Sequence, residues 1–151
     1  MTRAPSNVVL DANVWGRVVN PKDASGVADW IDSLVASGRN VIVPEISDYE
    51  VRRSLLRLSI GTRRWSLYEE MLDSLLYAPI TTEAMRIAAE IWAQARLAGK
   101  PLTSDERLDG DAILIGQTLS LAPTNRILVA TTNVKHIGQY ASAEVWREIE
   151  V

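Results

Sequence analysis

Val8-Val9-Leu10-Asp11 is three β-branched or aliphatic residues after a polar start, closed by a carboxylate. Such a run reads as a short buried strand, and the acid stands at its carboxyl end. Two further runs match it: Val41-Ile42-Val43, stopped by Pro44, and Ile127-Leu128-Val129-Ala130. Helical spacing fills the intervals. Residues 24–37 place Val27, Trp30, Ile31, Leu34 and Val35 together, with Gly38 where a helix would end. Ser47 to Ser59 reads as a helix, and so does Trp65 to Tyr77, with Leu67, Met71, Leu75 and Leu76 inward. Thr82 to Leu97 is a long helix ending at Gly99; a polar loop, Lys100 to Leu108, leads to another from near Gly110 to Leu121. Gly116, inside it, is expected to let the helix approach the sheet closely. Glu144 to Ile149 alternates as a short edge strand would. Short apolar strands alternating with helices predict an α/β fold: one three-layer α/β/α domain over residues 1–151, with a central, mainly parallel sheet of roughly four to five strands. In such sheets ligands bind beyond the carboxyl ends of the strands.

Composition narrows the function. The chain has 151 residues, 47% hydrophobic and 23% charged, with one histidine and no cysteine. Disulfides, thiolate nucleophiles and zinc–cysteine sites are excluded. The longest uncharged stretch, Ala112 to Asn125, contains Gln117, Thr118, Pro123 and Thr124 and falls short of the roughly 18 apolar residues of a membrane span. The segment Met1 to Asn7 does not read as a signal peptide, so a soluble, cytoplasmic protein is expected. Net charge is −3, which is wrong for binding nucleic acid by bulk charge. A local patch exists: residues 51–68 hold Arg52, Arg53, Arg57, Arg63 and Arg64 and no acid. It is either a solvated helix face or a phosphate-binding surface. The five tryptophans mostly suit packing; Trp15 and Trp65 are the least clearly inward.

The acids carry the chemistry. Asp11 points either into the crevice beyond strand one or back to cap the next turn. Ser47-Asp48-Tyr49-Glu50 is a capping box, which would use Glu50 on a backbone N–H, yet the helix starts just after strand two and the same spot faces the crevice. In Leu108-Asp109-Gly110-Asp111, Asp109 is the expected N-cap and Asp111 is surplus. Carboxylates gathered at one place raise each other's pKa. A hard divalent cation, Mg²⁺ or Mn²⁺, relieves that conflict. After strand three, Thr132, Asn133 and His136 can meet a bound water or a phosphate, or can simply close the turn.

These four places together resemble the PIN domain family, and within it the VapC-like toxins of toxin–antitoxin pairs. The resemblance spans nearly the whole chain. Val-Val-Leu-Asp11-Ala-Asn13 is similar to the family's opening strand, Pro44 to Val51 to its glutamate segment, Leu108 to Ile115 to the helix start bearing its third acid, and Val129 to Ile137 to its closing segment. It implies a metal-dependent endoribonuclease that cuts RNA. Asp11 and Asp111 would be metal ligands, Glu50 a ligand directly or through water, and Asn13 and Thr132 would orient waters or ligands. Asp109 is a supporting acid without a firm family counterpart. The family often has a further acid at the position of Asn133 or His136; neither is an acid here. A homodimer and a cognate antitoxin are also implied.

Two other enzyme or switch classes fit less well. A haloacid-dehalogenase-like phosphatase needs an acid where Asn13 stands. A phosphoreceiver domain needs a pair of acids at the first strand's end. The alternative of a different kind is a catalytically weak PIN-like dimer, acting as a protein- or nucleic-acid-binding module.

Overall fold

The computed structural model describes residues 2–3, 5–99, 105–121 and 126–151. A short pair, β1 (Thr2–Arg3) and β7 (Ile149–Glu150), runs parallel beside the main sheet. The main sheet holds β2 (Asn7–Leu10), β3 (Asn40–Pro44), β4 (Leu76–Ala78), β5 (Ile127–Thr131) and β6 (Ala143–Val145), in the order β4-β3-β2-β5-β6 and parallel throughout. From β2 the chain builds first to one side, through β3 and β4, and later to the other, through β5 and β6. The order therefore reverses between β2 and β5, the switch point where open α/β sheets bind ligands.

Alternation along the strands divides the core. Val8, Leu10, Val41, Val43, Leu128 and Ala130 face one way and pack on α1 (Ala12–Val18), α2 (Val27–Ala36) and α4 (Thr62–Asp73). Val9, Ile42, Ile127 and Val129 face the other way, toward α5 (Thr82–Leu97), α6 (Asp105–Leu121) and α7 (Val134–Ile137). α3 (Glu45–Arg57) contributes to both, through Val51 and Leu55 on one side and Ile46 on the other. A strand buried on both faces needs the near-continuous apolar run seen in the sequence.

Several expected boundaries move. α1 begins immediately after Asp11 and is too short at 7 residues to show a helical period. The helix expected over 65–77 ends at Asp73, because Leu76 to Ala78 pair with Ile42 to Pro44 as an edge strand. α6 starts at Asp105, not near Gly110; the rest of the expected loop, residues 100–104, lies outside the described residues. The alternating stretch 144–149 is interrupted by a 3₁₀ turn at Trp146–Glu148. Trp15 is fully buried and donates its indole N–H to the Tyr68 hydroxyl at 3.2 Å. Gly38 does follow α2, with a left-handed φ of +83° that suits glycine.

Gly116 works differently from its reading. A Cβ there would collide with the carbonyl of Ala84 and crowd the amide of Ala88, both in the α5 backbone. The glycine brings α6 against α5, not against the sheet. Backbone cannot swing aside as a side-chain tip can. Gly116→Ala is therefore expected to lose about 2 kcal/mol of stability despite its better helix propensity. Urea unfolding checks this, and an unchanged or raised midpoint would contradict it.

Candidate active site

Asp11 caps α1, its Oδ1 accepting the Ala12 N–H at 2.7 Å. Its Oδ2 accepts from the Thr131 hydroxyl at 2.7 Å and the Asn13 amide at 3.2 Å. The two readings of Asp11 are thus not exclusive: it caps the turn from the switch point. It is 8% exposed. Burial pushes its pKa up, and the nearby Asp111 charge adds to the rise, while these hydrogen bonds oppose it.

Glu50 is freed by a change at the start of α3. The helix begins at Glu45 with Pro44 at its N-cap. Ser47 is therefore inside the helix, and its hydroxyl donates to the Leu10 carbonyl at 2.8 Å. The expected capping box does not form. The Ile46 N–H, an orphan donor of the first turn, is taken instead by Gln117 Oε1 at 3.0 Å. The other end of that buried amide donates to the Ala78 carbonyl at 2.7 Å. Two buried side chains thus fix where α3 starts, and Glu50 lies one and a half turns on, half-buried, with no capping duty. Burial raises its pKa first, the Asp11 charge next and Asp111 less, with Arg53 opposing.

Asp111 reaches the same place from α6. Its Oδ2 lies 2.8 Å from His136 Nδ1 and accepts from the Asn133 amide at 3.4 Å. Burial raises its pKa; His136 and Arg107 hold it down. Gly110, one residue earlier, explains how α6 comes so close: a Cβ there would strike the Glu50 carboxylate. The structure therefore draws Asp11, Glu50 and Asp111 into electrostatic contact from β2, α3 and α6.

The supporting residues divide. Asn13 bridges the two strand ends, since its Oδ1 also accepts the Thr132 N–H at 3.3 Å. Asn133 and His136 both meet Asp111. The side chain that holds Asp11 is Thr131, which the sequence reading passed over for Thr132. Thr131 lies one step beyond the paired residues Leu10 and Ala130, so it stands across from Asp11. Asp109 is exposed and not an N-cap; it lines a recess with Met85, Trp92 and Ile113, on the α5 side.

The five arginines also separate. Arg52 is tied down, with Nε 3.1 Å from Asp48 and Nη1 2.6 Å from Glu69, and its guanidinium lies against Trp65 and Tyr68. Asp48 also accepts from the Tyr68 and Tyr77 hydroxyls, whose pKa values are pushed up chiefly by burial and then by that carboxylate. Arg53 and Arg64 line a cleft that Glu50 and Asn13 share. Arg57 and Arg63 are exposed elsewhere.

The family model described as PIN domain matches residues 8–133. No curated protein matches the chain. Among solved structures, VapBC2 from Rickettsia felis bound to a promoter DNA fragment is similar at TM-score 0.70 and 14% identity, covering 91% of this chain and 97% of that one. FitAcB from Neisseria gonorrhoeae gives 0.67 and 21%, covering 93% and 99%. DNA-bound VapBC from Salmonella typhimurium gives 0.68 and 16%, covering 97% and 99%. At these identities the likeness is one of fold.

Raised carboxyl pKa values mean that the folded state resists ionising these acids. Metal-free stability contributed by them is then full below the ordinary values and falls as pH rises through the raised ones. Glu50 accepts no hydrogen bond among the described residues, and its burial and like-charge penalty outweighs the attraction of Arg53, so Glu50→Gln removes a net penalty. In EDTA the variant should gain stability over wild type as pH rises past the ordinary glutamate value of 4.5 and show no gain below it. Thermal unfolding across pH checks this; a gain at low pH that vanishes at neutral pH would contradict it.

Proposed function

The chain belongs to the PIN domain family, and on that premise we propose that it is a metal-dependent endoribonuclease, the VapC-like toxin of a toxin–antitoxin pair. The observation that carries the proposal is the convergence of Asp11, Glu50 and Asp111 at the switch point, each with its pKa raised by burial, Asp11 further by the charge of Asp111 and Glu50 by the charges of both aspartates. Packing has no need of such a group. The donor set is all oxygen, which suits Mg²⁺ or Mn²⁺. Among the described residues no three acids or imidazoles are gathered tightly enough to bind one ion directly. A hard cation that keeps part of its water needs only one or two carboxylates as direct ligands.

Asp11 and Asp111 would hold the metal, with Glu50 beside it. When bound, the metal would supply an acidified water and a positive charge for the phosphoryl oxygens. The chain's own groups do the rest. Glu50, with a raised pKa and free oxygens, would take a proton from the attacking water. Asn133 and His136 both act on Oδ2 of Asp111 and leave Oδ1 for the metal. Thr131 and Asn13 fix the Asp11 carboxylate, so its geometry is set before the ligand arrives. Arg53 and Arg64 face the phosphates of the RNA strand. The solved VapBC and FitAcB structures favour a cognate antitoxin as the protein partner; a homodimer goes with the same reading. No described helix is long and apolar enough to cross a membrane.

End-labelled structured RNA incubated with Mg²⁺, Mn²⁺ or EDTA tests the activity. Cleavage should require the metal, and Asp111→Asn should lower its rate by about 10²-fold or more. RNA that stays intact in both metals, or a variant that cuts as fast as wild type, would contradict the assignment. Binding of RNA and metal without cutting would favour the binding-module alternative.

A further inference from the structure

The cleft beside the acids has a volume of about 580 Å³ and lies between α1 and α3. Asn13 and Glu50 form part of its wall, so it opens onto the acid cluster. Three cations, Lys22, Arg53 and Arg64, line it, against Glu50 as the acid among its described lining residues. The side chains of Lys22 and Arg64 have no ion-pair partner among the described residues. The other lining is largely aliphatic, including Val19, Val51, Leu55 and Leu58. Gly16 leaves it open, since even a Cβ there would only touch Val51 at 3.5 Å.

This pattern is local. A chain of net charge −3 gathers three positive groups around an apolar surface at the edge of its site. A ligand that fits has an anionic part and a flat apolar part. A nucleotide has both, and the volume is in the range of small-ligand pockets, about 300–1,000 Å³. We propose that the cleft seats one nucleotide of the RNA strand next to the scissile phosphate, its phosphates held by Lys22, Arg53 and Arg64 and its base laid on Val19, Leu55 and Leu58. The proposal rests on the ribonuclease reading and adds Val19, Lys22, Leu55 and Leu58 to it.

The test is fluorescence anisotropy of a labelled single-stranded RNA of about eight nucleotides, long enough for one such groove, in EDTA so that nothing is cut. With Lys22→Ala/Arg64→Ala, affinity should fall about tenfold, and the slope of log affinity against log salt should shallow by about 1.4, as expected for two lost phosphate contacts on a single strand. Leu58 is 70% exposed, so Leu58→Ser should fold; it should weaken binding of the RNA but not of an abasic chain of equal length. Arg147→Ala, outside the cleft, should bind as wild type. An unchanged affinity in the double variant would overturn the proposal and leave the cleft to a protein segment. Equal loss for RNA and abasic chain in Leu58→Ser would overturn the seating of the base. The two readings fail separately. If wild type cuts no RNA but the double variant still loses binding, the nuclease reading falls and the cleft stands as an RNA surface. If RNA is cut and the variants bind normally, the cleft falls alone.

Discussion

The carboxylate of Asp11, buried where β2 and β5 part, is the constraint around which the rest is arranged. An acid taken out of water costs free energy unless its oxygens are satisfied. Here they accept from Ala12, Asn13 and Thr131, and those bonds tie the end of one strand to the start of a helix and to the end of the neighbouring strand. The penalty is offset only in part, and Asp111 adds to it by its charge. A fold that keeps three such groups together, and opens room for one of them with a glycine at 110, suits the cation proposed for this site. Neutralising the cluster turns the local conflict into a bound state.

The neighbouring polar residues explain why the cluster has a defined shape. Ser47 fastens α3 to the end of β2, and Gln117 fastens its first turn to α6 and β4. The Asp48–Arg52–Glu69 group, with Tyr68 and Tyr77, then fixes the outer face of the same helix. Arg52 is consumed in this framework. That leaves Arg53 on the cleft side of α3, one residue and about 100° further round the helix. A helix held at its start and along its outer side presents Glu50 and Arg53 to the site without freedom to drift.

Much of this was legible in the sequence. Val8 to Leu10, Val41 to Val43 and Ile127 to Ala130 carried the parallel sheet, because strands buried on both faces must be apolar throughout. Asp11 stood out because it follows a strand at its ligand-facing end, and Asp111 because it is surplus to the cap expected at Asp109, although α6 in fact begins earlier, at Asp105. What could not be read depends on contacts far apart in the chain. The start of α3 is set by Gln117, 71 residues away, so the local capping box was a false lead. Thr131, rather than Thr132, meets Asp11 because of the β2–β5 register, which neither strand encodes alone. β4 is too short to outweigh the helical pattern before it, and only pairing with β3 makes it a strand. Gly110 was visible as a glycine, but its purpose appears only once Glu50 lies against it.

The central claim is that the acid cluster is a divalent-cation site. Titration of the purified protein with Mn²⁺, followed by loss of the free-ion electron paramagnetic resonance signal, tests it without reference to any substrate. The account predicts saturable binding in wild type, displaced by excess Mg²⁺ and lost in Asp11→Asn/Asp111→Asn. Absence of binding in wild type, or binding that survives in that variant, would contradict it.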